Sequence, residues 1–478
     1  MILSLFLFFQ PPATTDLEAT LRKFTQVLSI AQQHAADPVN TENAIYQGAI
    51  PGMLQRLDPH SVFFDPGQFE QLKQMERSEQ KGFGTVVSIL PGRVVVLQAA
   101  QGTPSAKAGL TPGDEILAVN NVALNRLDAE QLIGYLGQAR QKTAYLIVRR
   151  PGDARLLQFT LNPELVDTPS VDRAFFIKPD VGFIRITSWD PNTGRQLKEA
   201  IEKLGGDKLK GLVLDLRNNP GGVVQAALAG AALFLQPGQT ILSVKGRSIK
   251  GETADVPNLA RPYTFPLAVL INEKTASASE ILTGALQDHD RATVIGLPSY
   301  GKGLVQNVFN LTGNTGVALT TAFYYTPSGR SIQKPLRTGQ LEIELSKQEY
   351  KTDSGRIVRG GGGIQPDFIV QPEAPTRLRL ALDASGSLTG FSTEYLRHNK
   401  IADSFEVTPQ ILDQFQVFVA ERGIQPNVGE WVADRAWIQS RLTQEIVNQG
   451  LGVEKGDEVE AQRDPQVIAA VSKLLQYQ

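Results

Sequence analysis

The chain has 478 residues, 41% of them apolar, enough for roughly three domains at about 100–200 residues each. Its 47 Lys and Arg against 49 Asp and Glu leave a net charge of −2, so no positive field exists to draw in nucleic acid or an anionic membrane. Cysteine is absent, which excludes disulfides, thiolate metal sites and cysteine nucleophiles. The four histidines, His34, His60, His289 and His398, form no HExxH pair. Chemistry on this chain is expected to run on Ser, Lys, Asp, Glu, Arg and backbone groups, with no metal and no organic cofactor.

At the N-terminus the apolar stretch Ile2–Phe9 is far short of the roughly 20 residues that span a bilayer, so no integral membrane span is expected. Its length suits the apolar region of a signal peptide, although the basic residues before it and a small-x-small cleavage site are missing. Residues 1–12 are therefore read as a possible signal peptide, against a buried N-terminal segment or a mis-chosen start. Residues 13–80 read as a helical region (LEATLRKFTQVLSIAQQ, 17–33) that ends in the Pro- and Asp-punctuated LDPHSVFFDP, 57–66.

Residues 81–165 change character. KGFGTVVSIL (81–90) and RVVVLQAA (93–100) are β-branched and alternating, and a helix seed, a Pro-Gly-Asp turn, a helix at 128–139 and a strand at 143–152 follow. The AGLTPGDEILAVNN run (108–121) and the Gly82-Phe83-Gly84 loop ahead of a strand resemble a PDZ domain. In such domains a loop of free N–H groups captures a peptide's terminal carboxylate, and the peptide adds a strand to the sheet edge. Phe83, Gly84 and Thr85 would supply the amides. The alternative is that the two glycines only make a tight turn.

From 166 to 372 apolar strands alternate with helices, which predicts an open α/β sheet. Sites in such sheets form beyond the carboxyl ends of strands, where RNNPGG (217–222), TASASE (275–280) and SYGKG (299–303) fall. Ser277 sits where a strand gives way to a helix, at the positive end of the helix dipole. Ser277-x-x-Glu280 is equally a capping box. GLPSYGKG (296–303) nearly matches the phosphate-loop pattern, but Gly303 has no hydroxyl and a strand follows where a helix is required, so nucleotide binding is rejected. Lys302, between two glycines, is either a solvated surface lysine or a desolvated general base. A serine hydroxyl needs such a base, and Ser–Lys pairs are one solution. Gln306 lies on the same strand face four residues on, placed to orient the amine. An N–H from NPGG together with that of Ala278 would form an oxyanion hole. Residues 373–478 are amphipathic helix, read as a packing or assembly domain.

LDPHSVFF (57–64), the PDZ-like unit, DLRNNPGG (215–222), NEKTASASEILTGALQDHDRA (272–292), YGKGLVQ (300–306), YYTPSGRSI (324–332) and GGIQPD (362–367) follow one another as in carboxyl-terminal processing peptidases, the tail-specific serine proteases. The resemblance covers roughly 57–370. It implies an open α/β protease core of crotonase-like, ClpP-type architecture over 166–372 with an inserted PDZ domain. It makes Ser277 the nucleophile, Lys302 the general base and Gln306 the residue that positions the lysine; the family's serine-to-lysine interval selects Ser277 over Ser279. Gly222 and Ala278 would form the oxyanion hole, and Glu280, Asp215 and Arg217 would support the architecture. Lys274-Thr275 stands where the family often has Gly-Ser. The resemblance further implies an extracytoplasmic setting, a bacterial periplasm or cell envelope, and protein or peptide substrates with accessible C-terminal tails. Oligomerisation or adaptor binding is expected of the C-terminal helices.

Two other readings remain at this stage. A Ser–His–Asp hydrolase would use His289 on the same helix as Ser277, although no GxSxG motif exists. A non-catalytic PDZ scaffold would retain the fold without the chemistry.

Overall fold

The computed structural model describes residues 17–76, 80–90, 92–166, 168–247, 251–334 and 349–476; the possible signal peptide at 1–12 lies outside them. The described chain divides into a smaller unit, 17–70 with 306–320, and a larger one formed by the rest. No helix among the described residues is long and apolar enough to cross a membrane.

In the larger unit the continuous apolar runs at Gly211–Asp215 and Leu267–Ile271 are buried at every position, as parallel strands covered on both faces must be. They are the centre of a six-stranded sheet in the order Val171–Lys178, Val181–Ile186, Gly211–Asp215, Leu267–Ile271, Ala292–Gly296, Phe368–Ile369. All neighbours are parallel except the first pair, a hairpin. Helices Thr193–Lys203, Val224–Ala231 and Ala278–Asp288 bury Leu197, Ala227 and Leu282 in the main core on one face. The other face is closed by the last helix, Pro465–Gln476, whose Val467, Val471 and Leu474 pack with Val213, Ala268 and Ile295. The final turns of the helical tail are thus part of the sheet's own core.

Three segments to which the sequence analysis assigns no element contain strands. Val171–Lys178 is one, and its Asp172 and Arg173 pair with Arg185 and Asp457. Thr240–Gly246 and Glu252–Asp255 form a hairpin, and Val244 pairs with Tyr324 at the end of the long strand Thr315–Tyr325. Leu156–Leu161 adds a further strand to the PDZ-like unit. That unit is a sheet in the order Thr85–Leu90, Arg93–Ala99, Glu115–Val119, Ala144–Arg149, Leu156–Leu161, with its own core around Val94, Leu132 and Val148. Helix Ala129–Ala139 starts with the Asp128/Gln131 capping box. Beyond residue 376, helices Arg377–Ser385, Ser387–His398, Pro409–Ala420 and Val428–Gly450 bury a core around Phe391, Phe415 and Ile438.

The smaller unit holds helix Leu17–His34, a π-helical turn at Asn43–Ala49, helix Ile50–Gln55, and strand Val62–Phe64 paired antiparallel with residues 316–318. From 17 to 76 the described chain is thus helical with one strand in it. Leu304–Leu311 is a strand, so no helix follows the GKG segment, in keeping with the rejection of a phosphate loop.

Candidate active site

Three neighbouring parallel strands, Gly211–Asp215, Leu267–Ile271 and Ala292–Gly296, release their carboxyl ends side by side. The loops that follow carry NPGG, TASAS and YGKG, so residues far apart in sequence meet at one sheet edge.

Ser277 stands at the turn from strand to helix with φ 56° and ψ −117°. A side-chain-bearing residue at positive φ is strained, and such strain persists only where the surroundings over-determine it. Thr275, fully buried, fixes the turn by donating its hydroxyl to the Leu216 carbonyl at 2.8 Å. The Lys274-Thr275 departure from the family pattern therefore supplies an anchor of its own. Ser277 is partly exposed, whereas Ser279 is fully buried and accepts the Trp189 indole N–H at 2.9 Å. The two serines have different environments, and only the first faces solvent.

Glu280, fully buried in the first helical turn, accepts four hydrogen bonds: from Ser277 N–H at 2.8 Å, Lys302 N–H at 2.9 Å, Gly301 N–H at 2.7 Å and the Ser299 hydroxyl at 2.5 Å. The Ser299 oxygen accepts from Ile364 N–H at 2.6 Å, which leaves its proton for Glu280. Burial pushes the Glu280 carboxyl above its ordinary range, and the donors pull it back. Four donors suit the ionised form. The glutamate half of the capping box is thus made, and the same carboxylate ties the base-bearing loop to the serine turn.

Burial pushes the Lys302 amine below the ordinary lysine value, and the Glu280 charge returns part of the shift. The Tyr324 phenol, itself buried, donates toward the Lys302 carbonyl at 2.5 Å and reaches the Ser277 carbonyl at 3.2 Å. Sequence reasoning gave this tyrosine no role. Its one signal was its place in the YYTPSG run at a strand end.

The NPGG loop is pinned by buried Asn219, whose amide donates to the Ile186 carbonyl at 2.8 Å and accepts Gly221 N–H at 2.9 Å. Gly221, at φ 99°, lies so close that a Cβ there would stand 2.8 Å from Ser277 Cβ and 3.0 Å from Ala278 N. Gly222 forms a parallel bridge with Trp189: Trp189 N–H donates to Gly221 and Val223 N–H donates to Trp189. In that pattern the N–H of Gly222 points away from Trp189. Ala278 N–H belongs to the first helical turn, where no intrahelical acceptor exists. Asp215, buried, binds Arg217 at 2.9 and 2.6 Å, and Arg217 reaches Asp464 at 2.6 Å and Gln466 at 2.9 Å on the tail.

His289 caps the far end of the helix that begins beside Ser277. Eleven helical residues lie between the two, which at 1.5 Å per step puts them about 18 Å apart along the helix. Both its ring nitrogens are engaged, with Asp353 at 2.7 Å and the Thr240 carbonyl at 2.8 Å. The structure does not bring it to the serine. Gln306 belongs to the smaller unit, where its amide N–H donates to the His60 carbonyl at 2.6 Å.

In the PDZ-like unit Thr85 opens an edge strand paired on one side only. Gly84 has φ 70°, and a Cβ there would lie 2.3 Å from the Thr103 side chain, so only glycine fits. The carbonyls of Phe83 and Gly84 face inward, to Ser105 N–H at 3.0 Å and Ala100 N–H at 2.8 Å. Exposed Val86 on the edge strand and Ile133 on helix Ala129–Ala139 are apolar.

A model of peptidase family S41 matches residues 180–339, and a PDZ-domain model matches 95–150, a span that begins beyond Phe83–Thr85. The chain is 32% identical over 345 residues to a carboxy-terminal-processing protease of Bartonella bacilliformis, covering 71% of this chain and 72% of that one. The chain belongs to the carboxyl-terminal-processing proteases of family S41. It is also 35% identical to carboxyl-terminal-processing peptidase 2, chloroplastic, of Arabidopsis thaliana, over 62% of this chain and 60% of that one. A carboxyl-terminal-processing protease of Synechocystis is 33% identical over 64% and 72% of the two chains. As a family S41 member this protein is a serine-type peptidase with a PDZ domain. That membership sets aside the non-catalytic scaffold.

Proposed function

We propose that this S41 peptidase captures the C-terminal tail of protein substrates on its PDZ domain and cleaves within the chain by an acyl-enzyme mechanism run by Ser277 and Lys302. Ser277 Oγ attacks the scissile carbonyl carbon while the neutral Lys302 amine takes the hydroxyl proton. The oxyanion accepts from the N–H groups of Gly222 and Ala278. Lys302 then protonates the leaving amine as the C–N bond breaks. Water, deprotonated by the same lysine, hydrolyses the ester and restores Ser277. Gln306 orients the lysine, and Glu280, Asp215 and Arg217 hold the loops. No metal or organic cofactor enters any step.

The observation that carries this reading is the strained Ser277 turn joined through one carboxylate to a lysine whose burial favours the neutral amine. Tail capture is supported by the open edge strand beside Gly84 and its apolar surroundings: the peptide adds a strand while its carboxylate meets the N–H groups of Phe83, Gly84 and Thr85. The reading includes the 81–165 and 166–372 boundaries, a crotonase-like ClpP-type sheet and an extracytoplasmic location. It also places any adaptor or second copy on the outer C-terminal helices, where Val417, Val428 and Val432 are exposed.

The test is digestion of one unfolded protein bearing either an apolar or a charged C-terminus, with wild type, Ser277→Ala and Lys302→Ala. Faster cleavage of the apolar-tailed form and loss of cleavage in both variants are expected. An active Ser277→Ala removes the nucleophile assignment, and equal cleavage of both tails removes capture.

A further inference from the structure

Nucleophile and base sit on separate loops, so their alignment depends on what fixes the two backbones against each other. On the N–H side that element is Glu280, which accepts from both residues. On the carbonyl side the Tyr324 hydroxyl reaches both, 2.5 Å from the Lys302 carbonyl and 3.2 Å from that of Ser277. We propose that Tyr324 is a positioning residue for this peptidase, holding the peptide groups of Ser277 and Lys302 in register from the side opposite Glu280; the proposal rests on the Ser277–Lys302 reading.

Three features make Tyr324 a rigid clamp. Its ring is 2% exposed within the main core. Its own N–H donates to the Gly303 carbonyl at 2.9 Å, so main chain and side chain both grip the Lys302 segment. Its strand is anchored by the Val244 pairing. A phenol has one hydrogen for two carbonyls, so the shorter contact to Lys302 takes most of it and Ser277 shares a three-centre bond. The Ser277 carbonyl also accepts Glu280 N–H at 2.8 Å and Ile281 N–H at 3.0 Å, which places the larger loss on the Lys302 side when the hydroxyl is removed. Burial and the Glu280 charge hold the phenol well above its ordinary pKa. It stays a donor at working pH and carries no proton of the reaction.

The experiment compares Tyr324→Phe with wild type, with rates taken per active serine titrated by a fluorophosphonate probe and folded protein followed by thermal melting. Phenylalanine keeps the ring packing and deletes only the clamp. A small misplacement of reacting groups costs up to about 100-fold in rate, so kcat per labelled serine is expected to fall about 10- to 100-fold, with KM within about twofold. Looser packing around Lys302 admits water, so the rising limb of the pH–rate profile moves to higher pH. Leu197→Ala, which hollows the same core from helix Thr193–Lys203 without touching the clamp, supplies the stability control and keeps the wild-type rate per serine and limb. Wild-type kcat and an unmoved limb in Tyr324→Phe overturn the proposal, as does a Leu197→Ala variant that reproduces both changes. Ser277→Ala and Lys302→Ala run alongside: activity in either removes the dyad itself, whereas two inactive variants beside an unaffected Tyr324→Phe remove only the clamp.

Discussion

The main-chain N–H groups of Ser277 and Lys302 converge on a single oxygen, Oε2 of Glu280, at 2.8 and 2.9 Å. Two residues from separate loops are therefore set against each other by one side chain, to which the proposed mechanism gives no chemical step. Replacing Glu280 by Gln turns an acceptor carboxylate into an amide whose NH2 must face a donor. Each buried N–H left unsatisfied costs about 1–3 kcal/mol. Glu280→Gln is expected to lower stability by about 2–4 kcal/mol and kcat by at least about 100-fold, measured by denaturant unfolding and by peptide hydrolysis. A variant with wild-type kcat means that the carboxylate does not align the pair.

The pH dependence follows from Lys302. Burial lowers its pKa, and in the proposed mechanism the neutral amine is the active form, so activity is expected to rise with pH through a limb that lies below the ordinary lysine value of about 10.4. The Glu280 charge raises the same pKa. Removing that charge in Glu280→Gln must shift the limb of the residual activity to still lower pH. A kcat/KM profile recorded for both proteins decides it: a limb at or above the ordinary lysine value, or an upward shift in the variant, contradicts Lys302 as base.

Sequence alone carried the four inner strands of the sheet and the loops behind them because buried parallel strands are continuous apolar runs and the chemistry follows their carboxyl ends. Leu304–Leu311 and the helix behind Ser277 are legible as well. Partners that act through long-range packing are not. Ser299 has no local signal at all, since its use depends on Ile364 N–H arriving from 65 residues away. Trp189, a core aromatic, likewise meets Ser279 through its indole N–H across 90 residues of sequence. The strand Val171–Lys178 opens with Asp172 and Arg173, whose partners Arg185 and Asp457 lie elsewhere in the chain, the second in the tail.

Tail capture can be separated from catalysis at Gly84. A methyl group there would meet Thr103 at 2.3 Å, on a backbone with φ 70° that disfavours any side chain. Gly84→Ala should distort the loop without touching the protease core. Cleavage of a protein with an accessible apolar tail is expected to show a KM raised about tenfold, a loss of about 1.4 kcal/mol, while hydrolysis of a short peptide that does not need capture keeps its kcat. Unchanged KM for the tailed substrate argues against binding at Phe83, Gly84 and Thr85.

The helical tail reaches the chemistry through Arg217. This guanidinium spans Asp215 at the strand end and Asp464 and Gln466 at the start of the last helix, and it opens the loop that ends at Gly221 and Gly222. Opposite charges on both sides raise its pKa despite burial, so it remains a cation that needs both partners. Asp464→Ala leaves Asp215 in place and removes a charged hydrogen bond worth about 1.5–3 kcal/mol. The last helix stays packed through Val467, Val471 and Leu474, so the fold survives with a modestly lower melting temperature. The freed arginine can then swing with its loop, and the Gly222 N–H loses its fixed aim at the oxyanion. A fall in kcat of about tenfold with KM unchanged is expected, with Asp464→Asn retaining more activity because its amide oxygen still accepts. Should Asp464→Ala lose stability but keep its rate per active serine, the tail helix supports only the sheet and the NPGG loop is held by Asn219 alone.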